Sequence, residues 1–144
     1  GYACGPSELI EAMMKIHKYS MLCASIVAQE AALEALRSAE KQVYKMRSEY
    51  EQRRNVIVKR LNDMGLTCNM PEGAFYVFPS IADTGLTSNE FATQLLESKN
   101  VAVVPGTAFG ACGEGHVRCS YAASMQDIET AMKRIKEFIN ESAK

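Results

Sequence analysis

Apolar residues recur every three to four positions over long stretches of the chain, a spacing typical of helices that bury one face. One helix is predicted to begin at Ser7, whose side chain can cap free backbone N–H groups, and an alanine-rich helix follows over Ser25–Arg37. The longest pattern covers Ala39–Met64 and stops at Gly65, a residue that readily adopts the left-handed conformation of helix ends. Continuous helix over that segment would be about 39 Å long.

Two more helices are predicted in the second half of the chain. Thr87–Glu90 reads as a capping box, in which side chains at the first and fourth positions exchange hydrogen bonds with the backbone, and Ser124–Asp127 resembles one with aspartate at the fourth position. The last helix has an apolar face formed by Ile128, Ala131, Met132, Ile135, Phe138 and Ile139.

Short apolar or alternating segments between the helices predict strands. The turn Pro71–Gly73 joins a pair of them, because proline and glycine favour tight turns. Helices and short strands together predict an α+β fold, a small sheet covered by helices. The predicted strands are Gly1–Gly5, Leu66–Met70, Ala74–Phe78, Val101–Val104 and His116–Tyr121.

Composition and charge narrow the class of protein. The chain has 144 residues, enough for one domain, and its 47% hydrophobic content is sufficient for a buried core. Sixteen Lys and Arg balance seventeen Asp and Glu, so there is no cationic surplus to bind nucleic acid. The longest uncharged runs are too short to span a bilayer, which needs about 20 apolar residues, and no membrane partner is expected.

The five cysteines are scattered, odd in number and without a Cys-x-x-Cys pair, which predicts reduced thiols and a cytoplasmic protein. Cys4 and Cys23 lie among small apolar residues and are expected to be buried. The chain begins at Gly1-Tyr2 without an initiator methionine, so we expect either a processed protein or a piece of a longer one.

Four glycines fall within the ten positions from Gly106 to Gly115. The simplest interpretation is a connecting loop with tight turns. A nucleotide cradle is disfavoured, because the segment lacks the Gly-Lys-Ser/Thr ending of a P-loop and precedes a strand instead of a helix.

In the strand after this loop, His116, Arg118 and Ser120 share one face. An arginine among apolar neighbours needs an anionic partner, which could be a ligand carboxylate or an acidic side chain of the chain itself; the residues alone favour the second. Cys112, His116 and Cys119 could supply zinc ligands, but strand alternation puts the last two on opposite faces, so no metal site is expected.

Three motifs in order then resemble one known family. Gly1–Pro6 fits a Gly-Tyr-x-x-Gly-Pro pattern, Pro71–Tyr76 fits Pro-x-Gly-Ala-Phe-Tyr, and Val103–Ala122 fits a C-terminal signature containing Arg-x-Ser. Together they are similar to the class I and II aminotransferases, fold-type I enzymes that use pyridoxal phosphate.

The resemblance implies a division of the chain and a role for one residue. Residues 1–38 would be a strand and helices of the large cofactor-binding domain, and residues 39–144 a connector helix plus the small C-terminal domain that closes over substrate. Arg118 would bind the substrate carboxylate. The parent enzyme would be a homodimer that moves an amino group from an amino acid to a 2-oxo acid through pyridoxal phosphate.

In this family the lysine that forms the Schiff base precedes the segment that matches Gly1–Pro6. The resemblance therefore implies no catalytic and no cofactor-binding residue in this chain, and predicts a C-terminal fragment that is inactive alone and binds no cofactor. The apolar faces of residues 1–37 would then be exposed. The alternative is a freestanding, non-catalytic module that binds a carboxylate through Arg118 or dimerises through the helix Ala39–Met64.

Overall fold

The computed structural model describes residues 1–142, which form five α-helices and one small antiparallel sheet. The α+β fold predicted from the sequence is confirmed. The helices are α1 (Ser7–Ser20), α2 (Ile26–Ser38), α3 (Glu40–Asp63), α4 (Ser88–Lys99) and α5 (Met125–Ser142), and the strands are β1 (Tyr76–Val77), β2 (Val104–Pro105) and β3 (Val117–Ser120). Short 3₁₀ turns cover Ala82–Thr84, Gly106–Phe109 and Ala111–Gly113.

The chain divides into two compact units, Gly1–Tyr44 and a second that begins at Lys45. In the first unit neither α1 nor α2 buries a residue, which confirms the expected exposure of their apolar faces. The prediction that Cys4 and Cys23 are buried is wrong, because nothing within this unit covers them. Its exposed apolar side chains include Leu9, Met13, Met14, Ile16, Ile26, Val27, Leu33 and Leu36.

The helix starts of the first unit match the sequence only in part. Ser25 caps α2 by accepting a hydrogen bond from the Ala28 N–H at 3.2 Å, as predicted. Ser7 is already inside α1, and the cap position is held by Pro6, which has no side-chain acceptor. Gly1–Gly5 is not a strand, because no described segment pairs with its backbone N–H and C=O groups.

Helix α3 follows the predicted pattern and is succeeded by Gly65 at φ +88°. Within the second unit its apolar residues Ile57, Val58 and Leu61 are buried. They belong to a hydrophobic core that is shared with α4, α5 and the inner face of the sheet. The other core residues include Leu66, Val77, Ile81, Phe91, Leu95, Val117, Cys119, Tyr121, Ile128, Met132, Ile135 and Phe138.

Both capping predictions are confirmed at their key bonds. Thr87 Oγ1 accepts from the Glu90 N–H at 3.3 Å while Glu90 accepts from the Thr87 N–H at 2.9 Å. Ser124 Oγ accepts from the Asp127 N–H at 3.1 Å before α5. Four of the six predicted apolar positions of α5 are buried, and the other two are half-buried.

The sheet has the order β1-β3-β2, with both pairs antiparallel. Tyr76 pairs with Ser120 on one side of β3, and Val104 pairs with Arg118 on the other. The strand carrying Arg118 is therefore central, held by a neighbour on each edge.

Two predicted strands are corrected. Leu66–Met70 is not a strand, because the Asn62 side chain takes the backbone groups of Cys68: it donates to the Cys68 carbonyl at 2.9 Å and accepts from the Cys68 N–H at 3.1 Å. Of the predicted strand Val101–Val104, only Val104 lies in β2. None of the described helices is both long enough and apolar enough to cross a membrane.

Candidate carboxylate-binding site

Arg118 lies on the outer face of the central strand. Its neighbours Val117 and Cys119 are buried beneath the sheet, while Arg118 itself is half-buried, in agreement with the predicted alternation. No carboxylate within residues 1–142 forms an ion pair with it. The ion pairs that the structure describes use Arg53, Arg54, Lys59 and Lys99. The internal salt bridge that the residues alone favoured is therefore wrong for the described part of the chain.

The Arg118 guanidinium is in contact with two aromatic rings instead of an acidic side chain. The guanidinium carbon of Arg118 lies 4.4 Å from the centre of the Tyr76 ring and 4.7 Å from the centre of the Phe109 ring. Both distances are within the range of attractive cation–π contacts. The rings contact the cation without using its N–H donors, so the guanidinium keeps the edge that grips a carboxylate through two parallel hydrogen bonds.

The rings come from different elements. Tyr76 is opposite Ser120 in the β1–β3 pair, and the same register places Phe78 opposite Arg118. Phe78 stacks on His116 with ring centres 5.3 Å apart and meets Phe109 edge-on at 6.1 Å. The outer face of the sheet is thus an aromatic surface around one cation.

Phe109 belongs to the glycine loop, which we define as Gly106–Gly115. At its base two backbones touch: a Cβ added to Gly106 would lie 1.9 Å from the Gly113 carbonyl oxygen, and one added to Gly113 would lie 2.0 Å from the Gly106 oxygen. Only glycine permits that approach. The interpretation of this segment as a loop of tight turns is confirmed.

Glu114 joins this loop to the start of α4. Its carboxylate accepts from the Ser88 N–H at 2.7 Å, from the Ser88 hydroxyl at 3.0 Å and from the Gly115 N–H at 3.0 Å. These bonds, the Ser88 N–H first, hold the pKa of the Glu114 carboxyl below its usual value. Its oxygens bind Ser88 and Gly115 and form no described ion pair with Arg118.

Residues 1–135 match the family model for aminotransferase class I and II. The chain belongs to the class I and II aminotransferases.

Individual aminotransferases are similar to this chain in sequence and in structure. An aspartate aminotransferase from Pyrococcus abyssi is 48% identical over 143 residues, which are 98% of this chain and 37% of that protein. An aromatic-amino-acid aminotransferase from Thermococcus litoralis is 45% identical over 98% of this chain and 37% of its own length. The crystal structure of an aromatic aminotransferase from Pyrococcus horikoshii superposes with a TM-score of 0.94 at 46% identity, covering 97% of this chain and 38% of that one. The chain thus spans little more than a third of these aminotransferases.

Pyridoxal phosphate, which the aminotransferase family implies, needs a lysine for its Schiff base. The lysines described in this aminotransferase chain do not fit that role. Lys59 pairs with Asp63, and Lys99, the one half-buried lysine among residues 1–142, pairs with Glu141. The other described lysines are exposed. None of the described lysines is therefore placed to hold the cofactor.

Two cysteines of the aminotransferase chain, Cys68 and Cys119, are buried, whereas Cys4, Cys23 and Cys112 are exposed. Cys119 is buried under the sheet, and burial, with a smaller effect from Cys68, raises its pKa to about 12. His116 lies on the opposite face, as the alternation predicted. Within the described residues no three His, Cys, Asp or Glu side chains are arranged to hold a metal ion.

Three residues at the aminotransferase site were missed from the sequence. Tyr76 could have been found, because strand alternation puts its side chain on the same outer face of the sheet as Arg118 on β3. Phe109 is an aromatic residue in a loop of glycines and small residues, which is a signal in itself. Glu114 carries no signal, since its partner Ser88 lies 26 residues away in sequence, at the start of α4.

Proposed function

We propose that this chain is the substrate-carboxylate-binding part of a pyridoxal-phosphate-dependent aminotransferase, which moves an amino group from an amino acid to a 2-oxo acid. One observation carries the proposal: Arg118 has aromatic neighbours and no acidic partner in the described chain. Amino acids and 2-oxo acids share the carboxylate that such a cation binds.

The chain's part in that reaction is to bind and orient substrate. The Arg118 guanidinium would hold the carboxylate through two hydrogen bonds and so fix the direction of the reacting carbon. The Tyr76 and Phe109 rings would keep water from part of the ion pair, which strengthens it. Pyridoxal phosphate would supply the electron sink, held by a lysine outside residues 1–142.

The remaining organisation is proposed on the resemblance. Residues 1–38 would belong to the large domain and residues 39–144 to the connector helix and small domain of a homodimer, and the chain alone would be inactive. The described thiols, all unpaired, support a cytoplasmic location. The exposed apolar faces of α1 and α2 support their burial in a larger assembly.

The kinetic test changes Arg118 to alanine in the complete aminotransferase that contains this chain. We expect kcat/KM to fall by the equivalent of about 2–5 kcal/mol, with KM rising sharply, because the substrate charge loses its partner. Arg134→Ala, at an exposed site on α5, is the matched control and should leave both constants unchanged. Wild-type kinetics in the Arg118 variant would refute the assignment.

A further inference from the structure

We propose that Glu114 is a positioning residue for Arg118, acting through the glycine loop and the ring of Phe109. The proposal deepens the proposed carboxylate site, on which it rests. It assigns a task in substrate recognition to a side chain that does not touch the guanidinium.

The Phe109 ring depends on the loop for its position. The residue is 53% exposed, so the core holds little of it. Its ring contacts are with Arg118 at 4.7 Å and with Phe78 at 6.1 Å. A side chain with so little cover stays over a cation only if its backbone is held in place.

The loop is held at its base and at one side, where its Thr107 hydroxyl also lies 3.5 Å from the Ser88 hydroxyl. At the base, Gly106 and Gly113 are in direct backbone contact, and the Gly106 N–H donates to the His116 carbonyl at 2.8 Å. At the side, Glu114 binds both the N–H and the hydroxyl of Ser88. We call this second attachment the Ser88–Glu114 clip.

The clip is anchored to a rigid support. Ser88 is fully buried at the first turn of α4, and the same helix buries Phe91 and Leu95 in the core. The carboxylate also suits a helix N-terminus, where free N–H groups favour negative charge. Glutamine would keep one acceptor oxygen but lose the second, and its NH₂ group cannot accept from the Ser88 hydroxyl.

Loss of the clip has a consequence at Arg118. Once the loop is released, Phe109 is free to leave the guanidinium, and Arg118 regains side-chain freedom that carboxylate binding must then remove. Carboxylate affinity should fall while the charge itself stays. A purely structural role for Glu114 would change stability and leave the ring over Arg118 in the folded state.

The experiment uses NMR on the 144-residue chain labelled with ¹⁵N, following the Arg118 side-chain Nε–Hε signal, assigned by its loss in Arg118→Lys. In the wild type we expect the Phe109 ring, 4.7 Å from the guanidinium carbon, to shift this signal. Sodium acetate is the carboxylate probe. The variants are Glu114→Gln, Ser88→Ala and Phe109→Leu. Glu97→Gln, an exposed glutamate on the same helix as Ser88, is the control.

In Glu114→Gln and Ser88→Ala we expect the Arg118 signal to move towards its position in Phe109→Leu. The acetate Kd should rise about two- to fivefold, the scale of an exposed cation–π contact. Glu97→Gln should match the wild type in both measurements.

The outcomes separate the two proposals. If Glu114→Gln is folded and keeps the wild-type Arg118 signal, the positioning role is wrong, whether or not acetate binds. If the signal moves as expected but acetate perturbs Arg118 in no variant, the clip is supported and carboxylate binding by this chain fails. Ser88→Ala decides the first question if Glu114→Gln does not fold.

Discussion

Ala74 is a residue held in a conformation that its side chain disfavours. Its φ is +60°, in the left-handed region that costs a residue with a Cβ roughly 1–2 kcal/mol. The Tyr121 hydroxyl donates to the Ala74 carbonyl at 3.0 Å, which ties the turn before β1 to the residue that follows β3. The Phe75 carbonyl also accepts from the Tyr121 N–H at 2.9 Å. This turn sets where Tyr76 enters the sheet.

Two substitutions, measured by urea unfolding, test the strain at Ala74 and the hydrogen bond from Tyr121. Ala74→Gly should raise the free energy of unfolding by up to about 1 kcal/mol, because glycine accepts a positive φ. Tyr121→Phe should lower it by about 1 kcal/mol through loss of the hydrogen bond. Ala102→Gly, exposed and without a positive φ, is the control and should be slightly destabilising. A stability loss in Ala74→Gly would contradict the argument.

Glu114 predicts a pH dependence of stability. Hydrogen bonds from Ser88 and Gly115 lower its pKa in the folded chain below the ordinary value of a glutamate, so the folded state favours the charged form. The clip therefore contributes stability above the unfolded pKa and loses it as pH falls through the folded pKa. The stability advantage of wild type over Glu114→Gln, measured by urea unfolding, should be present at neutral pH and shrink in acid. An advantage that is constant with pH would exclude the carboxylate as its source.

At the scale of elements, the glycine loop depends on one backbone contact. A Cβ at residue 113 would overlap the Gly106 carbonyl, so Gly113→Ala must displace the loop. We expect a loss of about 1–3 kcal/mol in unfolding free energy. Gly73→Ala is the matched control, since a Cβ there meets nothing within 4 Å and φ is not positive, and it should change stability by less than about 0.5 kcal/mol. Equal effects at both sites would show that the contact does not matter.

Local chemistry made much of the element order predictable. The cap of α4 and the end of α3 two residues before Gly65 follow from residues adjacent in sequence, and so does the alternation that turns Arg118 outward. The absence of a strand at Leu66–Met70 could not be predicted. The Asn62 side chain forms hydrogen bonds with the Cys68 backbone, in place of the bonds that a neighbouring strand would otherwise form. Phe109 stands out in the sequence, but its position over Arg118 could not be predicted, since the loop brings the ring there only after it has folded back.

At the scale of the whole molecule, the described lysines predict how the chain behaves towards the cofactor. After the 144-residue chain is mixed with pyridoxal phosphate and gel-filtered, its absorbance spectrum should show no retained Schiff-base band. Exposed lysines form only transient adducts, because nothing around them shields the imine from water. Urea-unfolded chain is the control, with equally accessible lysines. A band retained only by the folded chain would contradict the proposal that the cofactor lysine lies outside residues 1–142.

The central position of β3 has a consequence for how substrate preference can change. Arg118, which we propose binds the carboxylate, lies on a strand that is paired along both edges, whereas the rings around it come from β1 and from the glycine loop. The residue proposed to bind the carboxylate and the rings that surround it are thus on separate segments of the chain. Tyr76 or Phe109 can be substituted while strand β3, which carries Arg118, stays unchanged. An engineer or natural selection can therefore vary the surroundings of Arg118 and keep Arg118 itself in place.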